Sequence, residues 1–235
     1  MLTVLITGAN RGIGLELVRQ YLQQGSAVIA VSRSGSAELK ALAESNLLQS
    51  YQLDLVDDRA LTALAEQLKE QKIDVLLNNA GTMGRHNFAE LGLGFGSFGS
   101  FDRAEWHEIF DINLCTPMKL AELFVDNVAA SDNGRIITVS SMVGSMTLNT
   151  FGGMYGYRAS KAGVNAIMKS MAIDLAGRNI IATAIHPGFV KTDMSGPKAH
   201  IEPQESAAGI IQVIDRLTPE QAGKLIAWNG EEMPW

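Results

Sequence analysis

Short apolar runs alternate with segments of helical periodicity along most of the chain, and this alternation constrains the fold strongly. Seven runs are predicted to be strands: Leu2–Thr7, Ala27–Val31, Leu48–Leu53, Ile73–Leu77, Arg135–Val139, Ile180–Ile185 and Lys224–Ala227. One segment between strands carries apolar residues at helical spacing: Val164, Ile167, Met168, Met171 and Leu175. Continuous apolar strands separated by helices are typical of a parallel sheet buried on both faces. We therefore expect an α/β fold, a doubly wound parallel sheet of seven strands with helices on both faces.

The composition is that of an ordinary globular protein, with 46% hydrophobic and 19% charged residues and no linker or repeat that divides the chain. We expect one domain, residues 1–235. A net charge of −6 argues against a nucleic-acid partner, because few cations are available to neutralise phosphates. Cys115 is the only cysteine, and no apolar run approaches the roughly 18 residues that span a bilayer. The start of the chain also lacks the basic residues of a signal peptide, so we expect a cytoplasmic protein without a membrane partner.

A glycine-rich turn follows the first predicted strand, and the amphipathic segment Leu15–Gln24 follows the turn. In such a strand–turn–helix unit, backbone N–H groups and the helix dipole meet a pyrophosphate. Gly8 would permit the tight turn, Gly12 would let the backbone approach the phosphate, and Gly14 would allow close helix packing. The sequence therefore predicts a dinucleotide site that includes Gly8, Asn10, Arg11, Gly12, Ile13 and Gly14.

The end of the second predicted strand indicates which dinucleotide binds. An acid at this point would hold the ribose 2′-hydroxyl of NAD, but the strand ends in Ser32-Arg33-Ser34. Arg33 can clamp a 2′-phosphate with its planar fork of donors, and Arg11 can reach the same region. The alternative is that both are solvated surface arginines. The pattern favours NADP(H).

Tyr157 and Lys161 lie four residues apart at the start of the long amphipathic segment. On a helix this spacing puts both polar groups on one face, so both can project into one cavity. A free tyrosine has a pKa of about 10, and an adjacent ammonium would lower it towards neutrality. The spacing alone is common by chance, so a purely structural role stays open at this point.

Further motifs follow the ends of successive predicted strands in a fixed order. They are Thr7-Gly8-x-x-x-Gly12-x-Gly14, Asn78-Asn79-Ala80-Gly81, Ser140-Ser141, Tyr157-x-x-x-Lys161 and Pro187-Gly188-Phe189-Val190-Lys191-Thr192. Together they resemble the short-chain dehydrogenase/reductase family over nearly the whole chain. The resemblance implies a Rossmann fold and a nicotinamide cofactor.

The resemblance also implies roles for particular residues. Tyr157 would protonate a carbonyl oxygen, Ser141 would bind that oxygen, and Lys161 would bond the nicotinamide ribose and lower the pKa of Tyr157. Asn113 would hold a water that links Lys161 to solvent. Further cofactor contacts are implied for Asp54, Leu55, Asn79, Ala80, Gly81, Tyr157, Pro187, Gly188, Val190 and Thr192.

The spacing between serine and tyrosine departs from the usual family pattern. The serine usually lies thirteen residues before the tyrosine, where this chain has Gly144, and the rivals are Ser145 and Ser141. Ser141 is favoured because it directly follows a predicted strand. The loop Gly144–Gly153 would then be longer than usual, which resembles a narrower subgroup that includes the insect sniffer carbonyl reductase and bacterial C-signal proteins.

Two other segments are candidates for the ligand crevice. Gly92–Ser100 is rich in glycine and is either a mobile loop at the crevice or a passive surface loop. Thr192–Pro203 could close over a substrate, and Met142 and Met194 could line an apolar pocket or fill the core. No metal site is expected, because the histidines show no ligand spacing: His86, His107, His186 and His200.

The expected function is an NADP(H)-dependent oxidoreductase that reduces an aldehyde, ketone or quinone by hydride transfer, with Tyr157 as general acid. An alternative is a signalling or regulatory NADP-binding protein with little turnover, and a third is a dehydrogenase that works in the oxidative direction. The expected partner is a small-molecule carbonyl or alcohol substrate, and the family resemblance suggests a homodimer.

Overall fold

The computed structural model describes residues 1–42, 44–85, 90 and 96–235. One sheet runs through them in the order β3-β2-β1-β4-β5-β6-β7-β8. Its strands are β1 (Thr3–Thr7), β2 (Ala27–Ser32), β3 (Leu48–Gln52), β4 (Val75–Asn78), β5 (Gly134–Val139), β6 (Ile180–His186), β7 (Leu225–Ala227) and β8 (Glu232–Met233). The first seven pair in parallel, whereas β8 pairs antiparallel with β7. The doubly wound parallel sheet is thus confirmed, with a two-residue edge strand that was not predicted.

Seven described α-helices connect and cover the strands. They are α1 (Gly12–Gln23), α2 (Ala37–Leu42), α3 (Asp58–Gln67), α4 (Arg103–Phe110), α5 (Thr116–Ala129), α6 (Tyr155–Asp174) and α7 (Pro203–Arg216). Two of them begin at an aspartate that caps the first turn. Asp57 accepts bonds from the backbone N–H groups of α3 at 2.9 and 3.2 Å, and Asp102 does so for α4 at 2.8 and 3.1 Å. A π-helical turn, Asp111–Cys115, joins α4 to α5.

Two apolar clusters cover the two faces of the sheet. Alternate residues of β1 divide between them, with Val4 and Ile6 in one cluster and Leu5 in the other. The first cluster includes the buried faces of α1 and α7, and the second includes those of α3, α5 and α6. Helices therefore lie on both faces, as the continuous apolar strands predict.

The carboxyl ends of the parallel strands lie at one common edge of the sheet. The order of the strands changes direction between β1 and β4. β1 lies between β2 and β4, so the loops after β1 and β4 diverge to opposite sides and leave a crevice. The motifs after β1, β4, β5 and β6 all meet at this edge. Within the ranges that the structure describes, no helix is long and apolar enough to cross a membrane.

Candidate active site

Two positions of the turn after β1, 8 and 14, accept only glycine. Gly8 has φ +65°, and a Cβ there would lie 2.9 Å from the Cα of Ala80. A Cβ on Gly14 would lie 2.1 Å from the carbonyl oxygen of Gly8, so the first turn of α1 packs directly on the turn. Arg11 precedes α1 and makes no side-chain cap. The N–H groups of this helix start therefore face the crevice end of the sheet without a capping side chain.

Thr7 and Asn79 join the glycine-rich turn to the end of β4. The Thr7 hydroxyl oxygen accepts bonds from the backbone N–H groups of Asn79 and Ala80, both at 3.1 Å. The Asn79 amide donates to the carbonyl oxygens of Thr7 at 2.9 Å and Gly8 at 3.3 Å. Asn79 thus shapes the turn as well as bordering the crevice. The role of Thr7 could not be predicted from local sequence, because its bonds are to residues about 70 positions away.

The side chains expected at the adenosine end lie at the ends of β2 and β3. Arg33 is exposed directly after β2, and the neighbouring Asn10 amide donates to the Ser34 hydroxyl at 3.3 Å. Asp54 caps the backbone N–H of Val56, and the carbonyl oxygen of buried Leu55 accepts a bond from Thr116 at 3.0 Å. No acidic residue directly follows β2, so no carboxylate beside Arg33 would repel a bound anion.

Arg11 has a different neighbour from the one expected. Its guanidinium pairs with Asp193 at 2.8 Å, and both side chains are largely exposed. This ion pair links the turn after β1 to the loop after β6. Arg11 can contact a phosphate only if it leaves Asp193 or binds both groups at once.

Tyr157 and Lys161 lie on the first turns of α6 with their side chains close together, as the spacing predicts, and Tyr157 lines the cavity described below. The Lys161 Nζ lies 5.7 Å from the centre of the Tyr157 ring and donates to the carbonyl oxygen of Val139 at 2.8 Å. Burial lowers the pKa of Lys161 to about 8, because the ammonium is largely removed from water. Its charge is therefore sensitive to pH near neutrality.

The pKa of Tyr157 differs from the expectation. Burial raises it to about 12, and a side-chain hydrogen bond with Ser141 only partly opposes this rise. The expected lowering by Lys161 is absent; its ammonium lies 5.7 Å from the centre of the ring and is bonded to Val139. With this pKa the phenol keeps its proton at neutral pH, the form in which a general acid acts, but it releases that proton less readily than a free tyrosine does.

Of the rival serines, Ser141 is the one that reaches Tyr157. The Ser145 hydroxyl oxygen accepts a bond from the backbone N–H of Leu148 at 3.2 Å, and Ser140 donates to Asn165 at 2.6 Å. Gly144 occupies the position of the usual serine. A Cβ there would lie 2.8 Å from the backbone of Lys161, so the short 3₁₀ helix Met142–Gly144 can pack against α6 only with glycine at this point.

Asn113 lies in the π-helical turn and is buried. Its amide donates to the Thr82 carbonyl oxygen at 2.8 Å and to the Ser160 hydroxyl at 3.0 Å, and its Oδ1 accepts from the Thr82 N–H at 2.8 Å. A Cβ on Gly81 would lie 3.3 Å from this Oδ1 and 3.6 Å from the Lys161 Nζ, so glycine lets the two groups approach each other. The structure thus brings Asn113, Ser141, Tyr157 and Lys161 to one place.

The loop after β6 forms the opposite wall of the crevice. Gly188 has φ +89°, and Ile201 and Trp228 pack where its Cβ would lie. The Thr192 methyl group would lie 3.3 Å from a Cβ on Gly12, so this loop touches the turn after β1. Val190 forms a parallel bridge with Ile201, which ties together the two ends of the expected lid, Thr192–Pro203.

A cavity of about 380 Å³ extends from Tyr157 along α4. Its described wall is mostly apolar and aromatic, and Glu105 is the only carboxylate among the described lining residues. The described lining is Met83, Gly96, Ser97, Phe98, Gly99, Ser100, Phe101, Glu105, Trp106, Ile109, Met154, Tyr155, Gly156 and Tyr157. The end of the glycine-rich segment, 96–100, therefore borders the cavity, while 92–95 lie outside the described residues. Met194 packs with Met83 and Met154, whereas Met142 is exposed.

Within the described part of the chain, no cluster of three or more His, Cys, Asp or Glu side chains could hold a metal ion. His86 lies outside the described residues. Burial lowers the pKa of His186 to about 4, so this side chain is a neutral packing residue at the end of β6.

A family model described as short chain dehydrogenase matches residues 2–202. The chain therefore belongs to this family of oxidoreductases. The order of its motifs along the sheet edge agrees with that membership. The family resemblance seen in the sequence is confirmed.

Characterised relatives and solved structures extend the similarity to the whole chain. The C-signal protein of Myxococcus xanthus is 34% identical over 175 residues, 74% of this chain and 100% of the relative. A 1-hydroxy-2-glutathionyl-2-methyl-3-butene dehydrogenase of Rhodococcus sp. is 32% identical over 100% of both chains. The carbonyl reductase Sniffer of D. melanogaster superimposes with a TM-score of 0.91 at 30% identity, covering 100% of both chains. The NADPH-bound carbonyl reductase from chicken fatty liver reaches 0.87 at 28% identity, covering 99% of this chain and 98% of that one.

Proposed function

We propose that this chain is an NADP(H)-dependent carbonyl reductase that reduces an aldehyde, ketone or quinone. One observation carries the proposal. Tyr157 is half-buried, and desolvation raises its pKa; it shares a side-chain hydrogen bond with Ser141, has an ammonium beside its ring, and lines an apolar cavity. Such a group keeps its proton until a neighbouring oxygen acquires negative charge. The experiment is incubation with NADPH and a panel of carbonyl compounds, which should consume NADPH and yield the alcohols.

The residues present fit an NADP(H) molecule. The uncapped start of α1 and the glycines at 8 and 12 suit a pyrophosphate, and Arg33 suits a 2′-phosphate because no acid follows β2. Asp54 and Leu55 would border the adenine, and Asn79, Ala80 and Gly81 the adenosine. Pro187, Gly188, Val190 and Thr192 would border the nicotinamide. The bound NADPH found in the chicken liver carbonyl reductase supports the choice of cofactor.

In this mechanism the cofactor supplies the hydride, and the protein supplies the proton and its control. Ser141 and Tyr157 would hold the carbonyl oxygen, and Tyr157 would donate its phenol proton as negative charge develops there. Lys161, held by Val139, would stabilise the phenolate that remains. Asn113 fixes the backbone at Thr82 beside Lys161 and would hold the water that restores the proton.

The substrate should carry an apolar, ring-sized group. The cavity wall offers Trp106, Phe98 and Met83, while Glu105 is occupied by the backbone N–H of Arg85 at 2.8 Å. An anionic substituent would lose its water there and lie beside the Glu105 carboxylate. Within this proposal the protein works in the cytoplasm as a homodimer on a small molecule, without nucleic acid or membrane.

Phe98→Ala tests this view of the substrate. The Phe98 side chain is 92% exposed, so its loss should leave stability unchanged. For a bulky aromatic ketone we expect KM to rise about tenfold, the effect of losing one ring contact. The KM for a small aliphatic aldehyde should stay unchanged. Equal effects on both substrates, measured by steady-state kinetics, would contradict the apolar subsite.

Arg33→Asp tests the choice of cofactor. Loss of a charge-assisted clamp, together with a new repulsion, should weaken NADPH binding about 100-fold or more. NADH binding should change little, because NADH has no 2′-phosphate. Arg216→Asp, at the far end of α7, is the matched control and should affect neither dissociation constant. Parallel losses for both cofactors in fluorescence titrations would contradict the clamp.

A second candidate function rests on the C-signal relative. In this case the chain would be a signalling or regulatory protein that binds NADP(H) with little turnover. Binding of NADPH without reduction of any carbonyl in the panel would favour this candidate over the reductase.

A further inference from the structure

Arg158 directly follows Tyr157 on α6 and is 9% exposed. Its guanidinium donates only to backbone carbonyl oxygens: to Val143 at 2.9 Å, Gly153 at 3.1 Å and Gly152 at 3.3 Å. Among the described residues no carboxylate pairs with it, and its Nη2 has no hydrogen-bond partner. Burial accordingly lowers the pKa of this guanidinium. Burial of a cation without a carboxylate partner lowers the stability of the folded protein. We therefore expect Arg158 to have a function that compensates for this cost.

The carbonyl oxygens that Arg158 binds belong to the long loop between β5 and α6. This loop enters the helix through three residues with left-handed backbone, Gly152 and Gly153 at φ +65° and Met154 at φ +50°. Methionine in this region is strained and persists only when its surroundings hold it. Arg158 helps to fix this backbone by binding the carbonyl oxygens of Gly152 and Gly153. The Phe151 ring covers the guanidinium, with its centre 4.5 Å away.

Val143 connects Arg158 to the active-site serine. The Val143 carbonyl oxygen accepts from Arg158, while the Val143 N–H donates to the Ser141 hydroxyl oxygen at 3.3 Å. Ser141 in turn hydrogen-bonds Tyr157. The contacts therefore connect Arg158 to Val143, and Val143 to Ser141. Ser141 contacts Tyr157, which directly precedes Arg158 on α6.

We propose that Arg158 is a positioning residue that holds Ser141 against the Tyr157 hydroxyl by fixing the 143–153 loop. The inference rests on the proposed reductase function for its kinetic test. The planar guanidinium suits this task because it reaches both ends of the loop at once, whereas an ammonium acts as a single point of attachment. Arg158 has no contact with the reacting atoms in this role, and its effect passes through Ser141.

A double-mutant cycle tests the proposal. Arg158→Met should lower kcat about ten- to hundredfold, the worth of a charge-assisted hydrogen bond in rate terms, with KM for NADPH unchanged. Added to Ser141→Ala, the same substitution should lower kcat little further, because the two residues act along one path. Arg178→Met is the control, since it removes only a surface ion pair with Asp126 and should leave kcat unchanged.

Three outcomes would overturn the proposal. They are an unchanged kcat in Arg158→Met, an equal loss in the wild-type and Ser141→Ala backgrounds, and a rise in KM for NADPH that accounts for the whole effect. If Arg158→Met fails to fold, Arg158→Lys enters the same cycle, with a smaller loss of kcat and the same lack of additivity expected. If the wild type reduces no carbonyl, the proposed function fails, and crystal structures still decide the inference. Ser141 bonded to Tyr157 in the Arg158 variant as in the wild type would then overturn it.

Discussion

Tyr157→Phe is expected to lower kcat for carbonyl reduction by about 10²- to 10⁴-fold, the usual contribution of a positioned general acid. The substitution removes one hydroxyl group and keeps the ring that lines the cavity. Binding of NADPH should be unchanged, because the ring and the ammonium beside it remain in place. Single-turnover kinetics together with a fluorescence titration of NADPH separate the chemical step from cofactor binding.

Tyr51→Phe is the matched control for this experiment. Tyr51 lies on β3, and among described residues its hydroxyl bonds only the exposed side chain of Gln49, at 3.2 Å, so its loss should leave kcat at the wild-type value. Equal turnover in the wild type and Tyr157→Phe would remove Tyr157 as the proton donor.

Lys161→Met is expected to lower kcat about 100-fold or more while leaving the protein at least as stable at pH 7. The activity falls because no cation remains to stabilise the Tyr157 phenolate. The stability follows from burial. A pKa lowered from 10.5 to about 8 corresponds to a cost of about 3 kcal/mol for keeping the ammonium charged in the folded state. Loss of the hydrogen bond to Val139 offsets about 1 kcal/mol of that gain. Thermal unfolding and steady-state kinetics on the same preparations measure both effects.

The pH dependence of stability tests whether removal of the buried Lys161 ammonium is what stabilises the variant. Because the pKa of Lys161 is lower in the folded protein, the unfolded chain binds more protons between pH 8 and 10.5. The cost is therefore fully present below pH 8 and disappears as the pH rises towards 10.5. The free energy of unfolding of Lys161→Met should exceed that of the wild type most at neutral pH, with a difference that shrinks across this window. A wild type that is more stable than the variant at pH 7 would contradict the desolvation of the ammonium.

The sheet was predictable because its strands are continuous apolar runs that need burial on both faces. The observed bounds differ by one or two residues at the ends, as at Val75 and Leu225. β8 was missed because two residues carry no periodicity. The π-helical turn around Asn113 was also missed, since the sequence there continues an ordinary helical pattern.

The placement of the candidate site residues was predictable where a motif follows a strand. Ser141 was favoured over Ser145 on that ground, and the structure gives the hydrogen bond to Tyr157 to Ser141. The glycines of the first turn also have the close contacts that the motif requires. These residues depend mainly on the local end of one strand, which the sequence pattern reveals.

The remaining features depend on contacts between distant segments. The pairing of Arg11 with Asp193 joins residues 182 positions apart, and no local pattern indicates it. The raised pKa of Tyr157 follows from desolvation in the assembled site, which outweighs the hydrogen bond with Ser141. The proposed role of Arg158 depends on the path of the 143–153 loop, and beyond the 3₁₀ helix Met142–Gly144 this loop has no regular structure from which a sequence pattern could predict that path.

Transfer of deuterium from labelled NADPH tests the central claim most directly. The wild-type protein would be incubated with an aromatic ketone and NADPH deuterated at the transferred position of C4, and the product analysed by mass spectrometry and NMR. A carbonyl reductase with the proposed chemistry yields an alcohol that carries the deuterium on the former carbonyl carbon and a solvent proton on oxygen. No alcohol despite bound NADPH, or an alcohol without deuterium on that carbon, would contradict the assignment.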